Sequence, residues 1–111
     1  MPIFISQGRY TRDGIKGMIA TPEDRGEAVS KLLKKAGGKL LAYYLTFGEY
    51  DFMVICEVPN EQAMASVVLA AAAGGGVSDV RTTLALTSKD AKTVFGSSGE
   101  LAASFRSAGM K

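Results

Sequence analysis

The side chains best suited to binding or acid–base chemistry are two carboxylates near the middle of the chain. Glu49 and Asp51 flank Tyr50, in a short segment that opens with Gly48. A carboxylate there could bind the ammonium group of a ligand or act as a general base. The same residues suit a tight turn, because glycine adopts positive φ and aspartate accepts hydrogen bonds from nearby backbone. The sequence favours the turn, with ligand binding as the alternative.

Histidine is absent from the sequence, which limits the catalytic and metal-binding groups that the chain can offer. Ser–His and Cys–His nucleophile pairs and histidine-ligated zinc or haem are excluded, so no metal site and no cofactor are expected. Cys56 falls in an apolar run and is expected to be a buried, inert thiol. The glycines at 74–76 lack the spacing and the lysine of a phosphate-binding loop, so we expect them to end a helix.

Composition predicts a single small domain. The chain has 111 residues, 47% of them hydrophobic and 22% charged, with a net charge of +2. That charge is too small to indicate nucleic-acid binding, and no apolar run is long enough to span a membrane. The first residues do not resemble a secretory signal, and one cysteine suits a reducing compartment. We therefore expect a cytoplasmic protein.

Hydrophobic periodicity and turn residues predict the secondary structure. A helical turn is expected around 15–19, and Thr21 with Pro22 predicts the start of a longer helix that ends at Gly37. A further helix follows Pro59, and another follows Thr87. Strands are predicted over residues 2–9, 39–47, 50–58 and 77–86. This β-α-β-β-α-β order predicts an α+β, ferredoxin-like sandwich over residues 1–95 with an extra C-terminal helix. Residues 96–111, rich in Gly, Ser and Ala, are expected to form a loosely ordered tail or a short docking helix.

Both faces of the predicted sheet are apolar. Strict alternation separates the residues of the second strand into Leu41, Tyr43, Leu45 and Phe47 on one face and Leu40, Ala42 and Tyr44 on the other. Two helices cover only one face of a four-stranded sheet, so the second face needs another cover. A homodimer of the dimeric α/β-barrel type, or a higher homo-oligomer, would provide it, and the alternative is that the C-terminal tail folds back. Tyr43 and Tyr44 should then lie on opposite faces, one among the helices and one between the sheets.

The segment around the hairpin resembles the GYD-domain family, small bacterial proteins named for a Gly-x-Tyr-Asp signature. The signature is present as Gly48, Tyr50 and Asp51, and the resemblance covers residues 1–95. Because no biochemical role is established for the family, the resemblance implies a fold more than a function.

A more distant similarity is to the effector-binding domain of the Lrp/AsnC regulators. That domain also has a Gly-x-Tyr-Asp hairpin, followed by a helix, a Gly-Val pair and an Arg-Thr pair, here Arg81 and Thr82. The resemblance implies pairing through the sheets and a small effector bound at a subunit boundary. The implied contact residues are Gly48, Glu49, Tyr50, Asp51 and Thr82. The chain leaves no room for a helix-turn-helix domain, so DNA binding is not carried over.

Three functions are compatible with these features. The first is a stand-alone, non-enzymatic dimeric module that binds a small metabolite near the hairpin. The second is a small cofactor-independent enzyme, similar to monooxygenases or isomerases, with a pocket between sheet and helices. Tyr43 or Tyr44 would act there with Asp51 or Glu57, so a pocket containing at least two of these groups would favour it. The third is a purely structural role, in which residues 70–76 and the tail are contact surfaces.

Overall fold

Strands and helices alternate along residues 1–109, the part of the chain that the computed structural model describes. The elements are β1 (Ile3–Tyr10), α1 (Arg12–Ala20), α2 (Arg25–Lys35), β2 (Lys39–Leu45), β3 (Phe52–Glu57), α3 (Glu61–Ala73), β4 (Val77–Ala85) and α4 (Ser88–Ser104). The four strands form one antiparallel sheet in the order β2-β3-β1-β4. The α+β fold with a ferredoxin-like order and an additional C-terminal helix is therefore confirmed.

The first two helices begin where side chains cap free backbone donors. The Thr11 side chain accepts a hydrogen bond from the Gly14 N–H at the start of α1. The start predicted for the longer helix was wrong, because α2 is capped by Asp24 and begins at Arg25. Thr21 is instead the C-cap of α1, where its N–H donates to the Gly17 carbonyl. The sequence offers two capping residues three positions apart, and the presence of α1 decides between them.

The alternation predicted for β2 fails at its beginning. The pairing with β3 changes from Leu40 opposite Cys56 to Ala42 opposite Ile55, so Leu41 is an extra, bulged residue. Because residues directly opposite each other point to the same side of a sheet, Leu40 and Tyr43 both face the helices. Leu40 was expected on the other face, and its packing against the core provides the physical reason for the shift.

The core lies between the helix-facing side of the sheet and helices α2 and α3. Its buried hydrophobic residues are Phe4, Leu33, Phe52, Val54, Cys56, Val58, Met64 and Val67. Cys56 is buried as predicted, and its thiol lies 3.7 Å from the Met64 sulfur. Ser6 is also buried, and its hydroxyl shares a 2.9 Å hydrogen bond with the hydroxyl of Thr82 on β4.

The other side of the sheet, which we call the open face, has no helix packed on it in the part of the chain described. Its apolar residues include Ile3, Ile5, Ala42, Tyr44, Met53, Ile55 and Ala85. Tyr44 is 56% exposed there. Helix α4 does not fold back over this face, because it makes no extensive contact with any other element described in residues 1–109.

Helix α4 extends past residue 96, from which a loosely ordered tail or a short docking helix was expected. It runs from Ser88 to Ser104 without a break at Gly96. The side-chain hydroxyls of Ser97 and Ser98 donate to the carbonyl of Val94, so these polar side chains are satisfied within the helix. None of the helices within residues 1–109 has the length and apolar character needed to cross a membrane.

Candidate functional site

A cavity of about 600 Å³ lies between the sheet and helices α1, α2 and α3. Its walls are mostly apolar, with Val29 and Leu32 from α2 and Val67 and Val68 from α3. Phe52 of β3 contributes to its sheet side. This volume and this lining are typical of sites that enclose a small organic molecule.

Hydroxyl groups lie on the sheet side of the cavity: Ser6, bonded to Thr82, and a pair of tyrosines. Tyr10, at the end of β1, and Tyr43, on β2, both line it and hydrogen-bond to each other through their hydroxyls. Both rings pack on Phe52, with ring centroids 5.3 Å away for Tyr10 and 6.3 Å away for Tyr43. The pair is therefore held in place by aromatic packing before any ligand binds.

The environment of Tyr43 disfavours ionisation of its hydroxyl. Burial raises the pKa of Tyr43 well above its ordinary value, the hydrogen bond with Tyr10 raises it further, and nearby Arg25 partly opposes the shift. A phenol in this state donates and accepts hydrogen bonds but does not act as a base near neutral pH. The chemistry of the pair is therefore recognition of a polar group on a ligand.

The more exposed residues that line the cavity include charged side chains. Arg25 and Glu23 form an ion pair of 2.8 Å there, with side chains 40% and 55% exposed. Asp13 at the start of α1 lines the same region. An exposed ion pair of this kind adds little stability to the fold, so these charges matter more for how a ligand enters the cavity and is oriented there.

Helix α1 forms one wall of the cavity and is attached to the glycine-rich turn after α3. The Thr11 N–H donates to the Gly76 carbonyl at 3.0 Å, and the Thr11 hydroxyl donates to the Gly75 carbonyl at 2.7 Å. A side chain at Gly14 would collide with the backbone of Gly76, so glycine is needed for this close approach. The residues expected only to end a helix therefore also hold the wall of the cavity.

The hairpin signature organises backbone around the end of β1. The Asp51 carboxylate accepts a hydrogen bond from the Tyr10 N–H at 3.0 Å, and its own N–H donates to the Gly8 carbonyl at 2.8 Å. The Thr46 N–H donates to the Asp51 carbonyl, and Gly48 has φ +114°. These contacts are those of a turn, and they place the Asp51 carboxylate behind Tyr10 rather than in the cavity.

The predicted site residues do not form one cluster. Tyr43 lines the cavity, whereas Tyr44 lies on the open face and Thr82 is bonded to Ser6 near the β4 edge. Gly48 and Glu49 are exposed at the hairpin, and Tyr50 is half-buried beside them. Of the four groups named for the enzyme hypothesis, Tyr43 lines the cavity, and Tyr44, Asp51 and Glu57 do not.

Sequence reasoning missed Tyr10, although a signal for it exists. Residues Phe4, Ser6, Gly8 and Tyr10 alternate on the helix-facing side of β1, so the parity of this strand places Tyr10 in the cavity. No cluster of three or more acidic or thiol side chains able to hold a metal ion occurs in the described residues.

Comparison with known proteins identifies the family and supports the fold. A family model described as the GYD domain matches residues 4–95. A protein of Thermus thermophilus named glutamine synthetase and cystathionine beta-lyase binding protein is 31% identical over 77 residues, which cover 69% of this chain and 81% of that protein.

Solved structures are similar in fold at low sequence identity. The crystal structure of TTHA0845 from Thermus thermophilus superposes with a TM-score of 0.51 at 17% identity, covering 79% of this chain and 96% of that one. An antibiotic biosynthesis monooxygenase gives a TM-score of 0.45 at 18% identity, covering 78% of this chain and 98% of that one, which is too weak a likeness to bear on function. On the evidence of the family model, of the 31% identical relative and of its own Gly-x-Tyr-Asp hairpin, the chain belongs to the GYD domain family.

Proposed function

We propose that the protein is a homodimeric binding module that encloses a small, largely apolar molecule in the cavity between the sheet and helices α1–α3. The observation that carries the proposal is an apolar cavity of about 600 Å³ with a pair of tyrosine hydroxyls on its sheet side. Such a site combines non-directional burial with one directional polar contact, which is how small-molecule sites obtain both affinity and orientation.

The lining indicates the class of ligand. Aliphatic side chains and the ring of Phe52 favour a flat or branched hydrocarbon body, and the Tyr10–Tyr43 pair favours a hydroxyl or carbonyl group on it. Burial around Tyr43, which raises its pKa, also penalises any charge placed beside it, so the pair suits an uncharged ligand group better than a charged one. The hairpin contributes indirectly in this proposal, because Asp51 fixes the backbone of Tyr10.

Binding is favoured over catalysis by the position of the acidic groups. A proton-transferring enzyme needs an acid or base within hydrogen-bond reach of the substrate. Asp51 bonds backbone outside the cavity, and Glu57 lies on the strand face opposite the core. The charged residues that do line the cavity, Asp13, Glu23 and Arg25, are at its more exposed part.

The binding proposal is tested with 2-naphthol, a flat uncharged phenol that the cavity should accept. We expect 2-naphthol to raise the melting temperature, because a ligand at 100 times its Kd stabilises the folded state by about 2.7 kcal/mol. Tyr43→Phe should weaken binding measured by calorimetry, and the matched variant Tyr44→Phe should not. Equal effects of the two variants, or no shift with 2-naphthol and no small molecule released from the purified protein, would refute the proposal.

The homodimer is the second part of the proposal, and the open face supports it. Ile55 lies near the middle of that face, opposite Ile5 across the β1–β3 pair. Stacking the same face of two copies around a two-fold axis would remove these apolar side chains from water. Ile55→Lys should convert a dimer into a monomer by light scattering, whereas Ser66→Lys on the exposed side of α3 should not. A monomeric native protein would contradict this part.

A second candidate function is binding to another protein, and one observation favours it. The 31% identical Thermus relative is named for binding glutamine synthetase and cystathionine beta-lyase. We propose that this chain, in the cytoplasm, associates with enzymes of those two classes from its own source. Biolayer interferometry with both purified enzymes tests this directly, and the absence of binding at micromolar concentrations of either enzyme would refute it.

A further inference from the structure

Helix α4 has an apolar stripe with no partner in its own chain among the residues described. The α4 stripe consists of Ala91, Val94, Phe95, Leu101, Ala102 and the C-cap residue Phe105. Spacings of three, four and seven place these residues along one side of the helix. Phe95 is 78% exposed, Leu101 70% and Phe105 75%.

The shape of the molecule shows that α4 projects away from the domain. The radius of gyration is 18.1 Å and the longest dimension is 63 Å. A compact chain of this length has a radius of gyration of about 13 Å. A helix of 17 residues is about 25 Å long, which accounts for much of the excess.

The composition of α4 indicates that it depends on packing. Its middle contains Gly96, Ser97, Ser98 and Gly99, and glycine is among the least favourable residues inside a helix. An isolated helix of this length is marginal in water even when its sequence is rich in alanine. The α4 stripe must therefore pack against another surface for the helix to be stable.

The chain itself provides a complementary surface. A shallow groove runs between α3 and β4, and its lining is mostly apolar, with Glu61 as the charged member. The lining residues are Phe4, Glu61, Met64, Ala65, Val68, Leu69, Val80 and Thr82. Leu69 is 69% exposed there, and no residue of α4 lines this α3–β4 groove in the described part of the chain. Every copy of the protein thus exposes both an apolar helix and an apolar groove that could hold one.

We infer that α4 is an exchanged arm: its stripe packs into the α3–β4 groove of a second copy, whose own α4 packs back in the same way. A second copy is the occupant because each chain carries both halves of the contact, and reciprocal exchange around a two-fold axis covers both α4 stripes and both grooves. The inference rests on the proposed homodimer, but it uses a different surface from the open face.

Disulfide trapping between two differently tagged variants tests the exchange. One chain carries Leu69→Cys, and the other carries Val94→Cys, Phe95→Cys or Leu101→Cys in turn. The native Cys56 is buried and present in both. We expect a two-chain disulfide containing one of each tag for at least one stripe position, and none for the matched control Thr93→Cys on the opposite side of α4. Disulfides that form only within one chain, when both cysteines are placed in it, would show that α4 folds back and would overturn the inference, as would no disulfide at any position.

Two charge variants separate this inference from the sheet pairing. Phe95→Asp should abolish the inter-chain disulfide and lower the helix content measured by circular dichroism, whereas Thr93→Asp should do neither. If the disulfide forms but Ile55→Lys leaves the mass of the dimer unchanged, the open-face pairing is wrong and the exchange holds. If Ile55→Lys gives monomers and no disulfide forms in the native dimer, the exchange is wrong and the pairing holds.

Discussion

Asp51 is the residue whose substitution best separates a structural role from a binding role. Its carboxylate accepts the Tyr10 N–H at 3.0 Å, and Tyr10 is one of the two tyrosines of the cavity. Asp51→Ala leaves this partly buried N–H without its acceptor, which costs about 2 kcal/mol. Asp51→Asn keeps an acceptor oxygen but loses the charge, so we expect a loss of about 1 kcal/mol.

These losses translate into melting temperatures that are easily measured. The unfolding entropy of a chain of this length is about 0.23 kcal/mol/K, so Asp51→Ala should lower the melting temperature by about 9 °C and Asp51→Asn by about 4 °C. Glu49→Gln at the exposed hairpin serves as the matched control and should change stability by less than about 0.5 kcal/mol. Calorimetric scans of the three variants provide the measurement.

The pattern of results decides between the two roles. If Asp51 organises backbone, 2-naphthol binding should persist in Asp51→Asn and weaken in Asp51→Ala in proportion to the disturbance of Tyr10. The structural reasoning would be refuted if Asp51→Asn kept full stability but no longer bound a ligand with an ammonium group that the native protein binds. That result would favour the hairpin as a binding site.

Three other contacts give direct expectations. Burial raises the pKa of Tyr43 in the folded state, so its stabilising contribution is complete below the unfolded pKa of about 10 and is lost as pH rises through the folded pKa. Tyr43→Phe should therefore reduce the fall of unfolding free energy at alkaline pH, measured by urea titration. The same pH dependence in the native protein and the variant would contradict this. Gly48→Ala should lower the free energy of unfolding by about 1–3 kcal/mol, because Gly48 has φ +114°. Gly17→Ala, where a methyl group meets open space in α1, should raise it by about 0.5–1 kcal/mol in the same urea titration. A change in the same direction for both variants would contradict this reasoning. Burial raises the pKa of the Cys56 thiol, so labelling with a disulfide reagent should be slow until urea unfolds the chain, and rapid native labelling would oppose the assigned burial.

Local signals in the sequence were sufficient for most of the sheet and for α3. Asn60 accepts a hydrogen bond from the Ala63 N–H, a cap that the residues around it indicate directly. The strand order is the one expected when each of two β-α-β crossovers leaves room for one strand between the strands that it connects. These features depend on neighbours in sequence, and sequence patterns report neighbours well.

Helix α1 and the cavity depend on contacts between distant residues, which a single sequence does not report. The Thr11 hydroxyl bonds a carbonyl 64 positions away, at Gly75, and this contact supports a helix that contains two glycines of its own. The same non-locality explains why Tyr10 was missed and attention fell on the hairpin alone. Its signature records where a turn must hold the end of β1, and the side chain that this positions is Tyr10.

The bulge at Leu41 affects how the sequences of related proteins should be aligned. Residues on both sides of it keep regular partners, with Leu40 opposite Cys56 and Ala42 opposite Ile55, so losing position 41 would leave every other pairing intact. A relative with a second strand shorter by one residue is therefore expected to align with its gap at 41. A gap placed three positions later, at 44, would align the relative's counterpart of Tyr44 with Tyr43, and would assign the tyrosine of the cavity to the wrong column of the alignment.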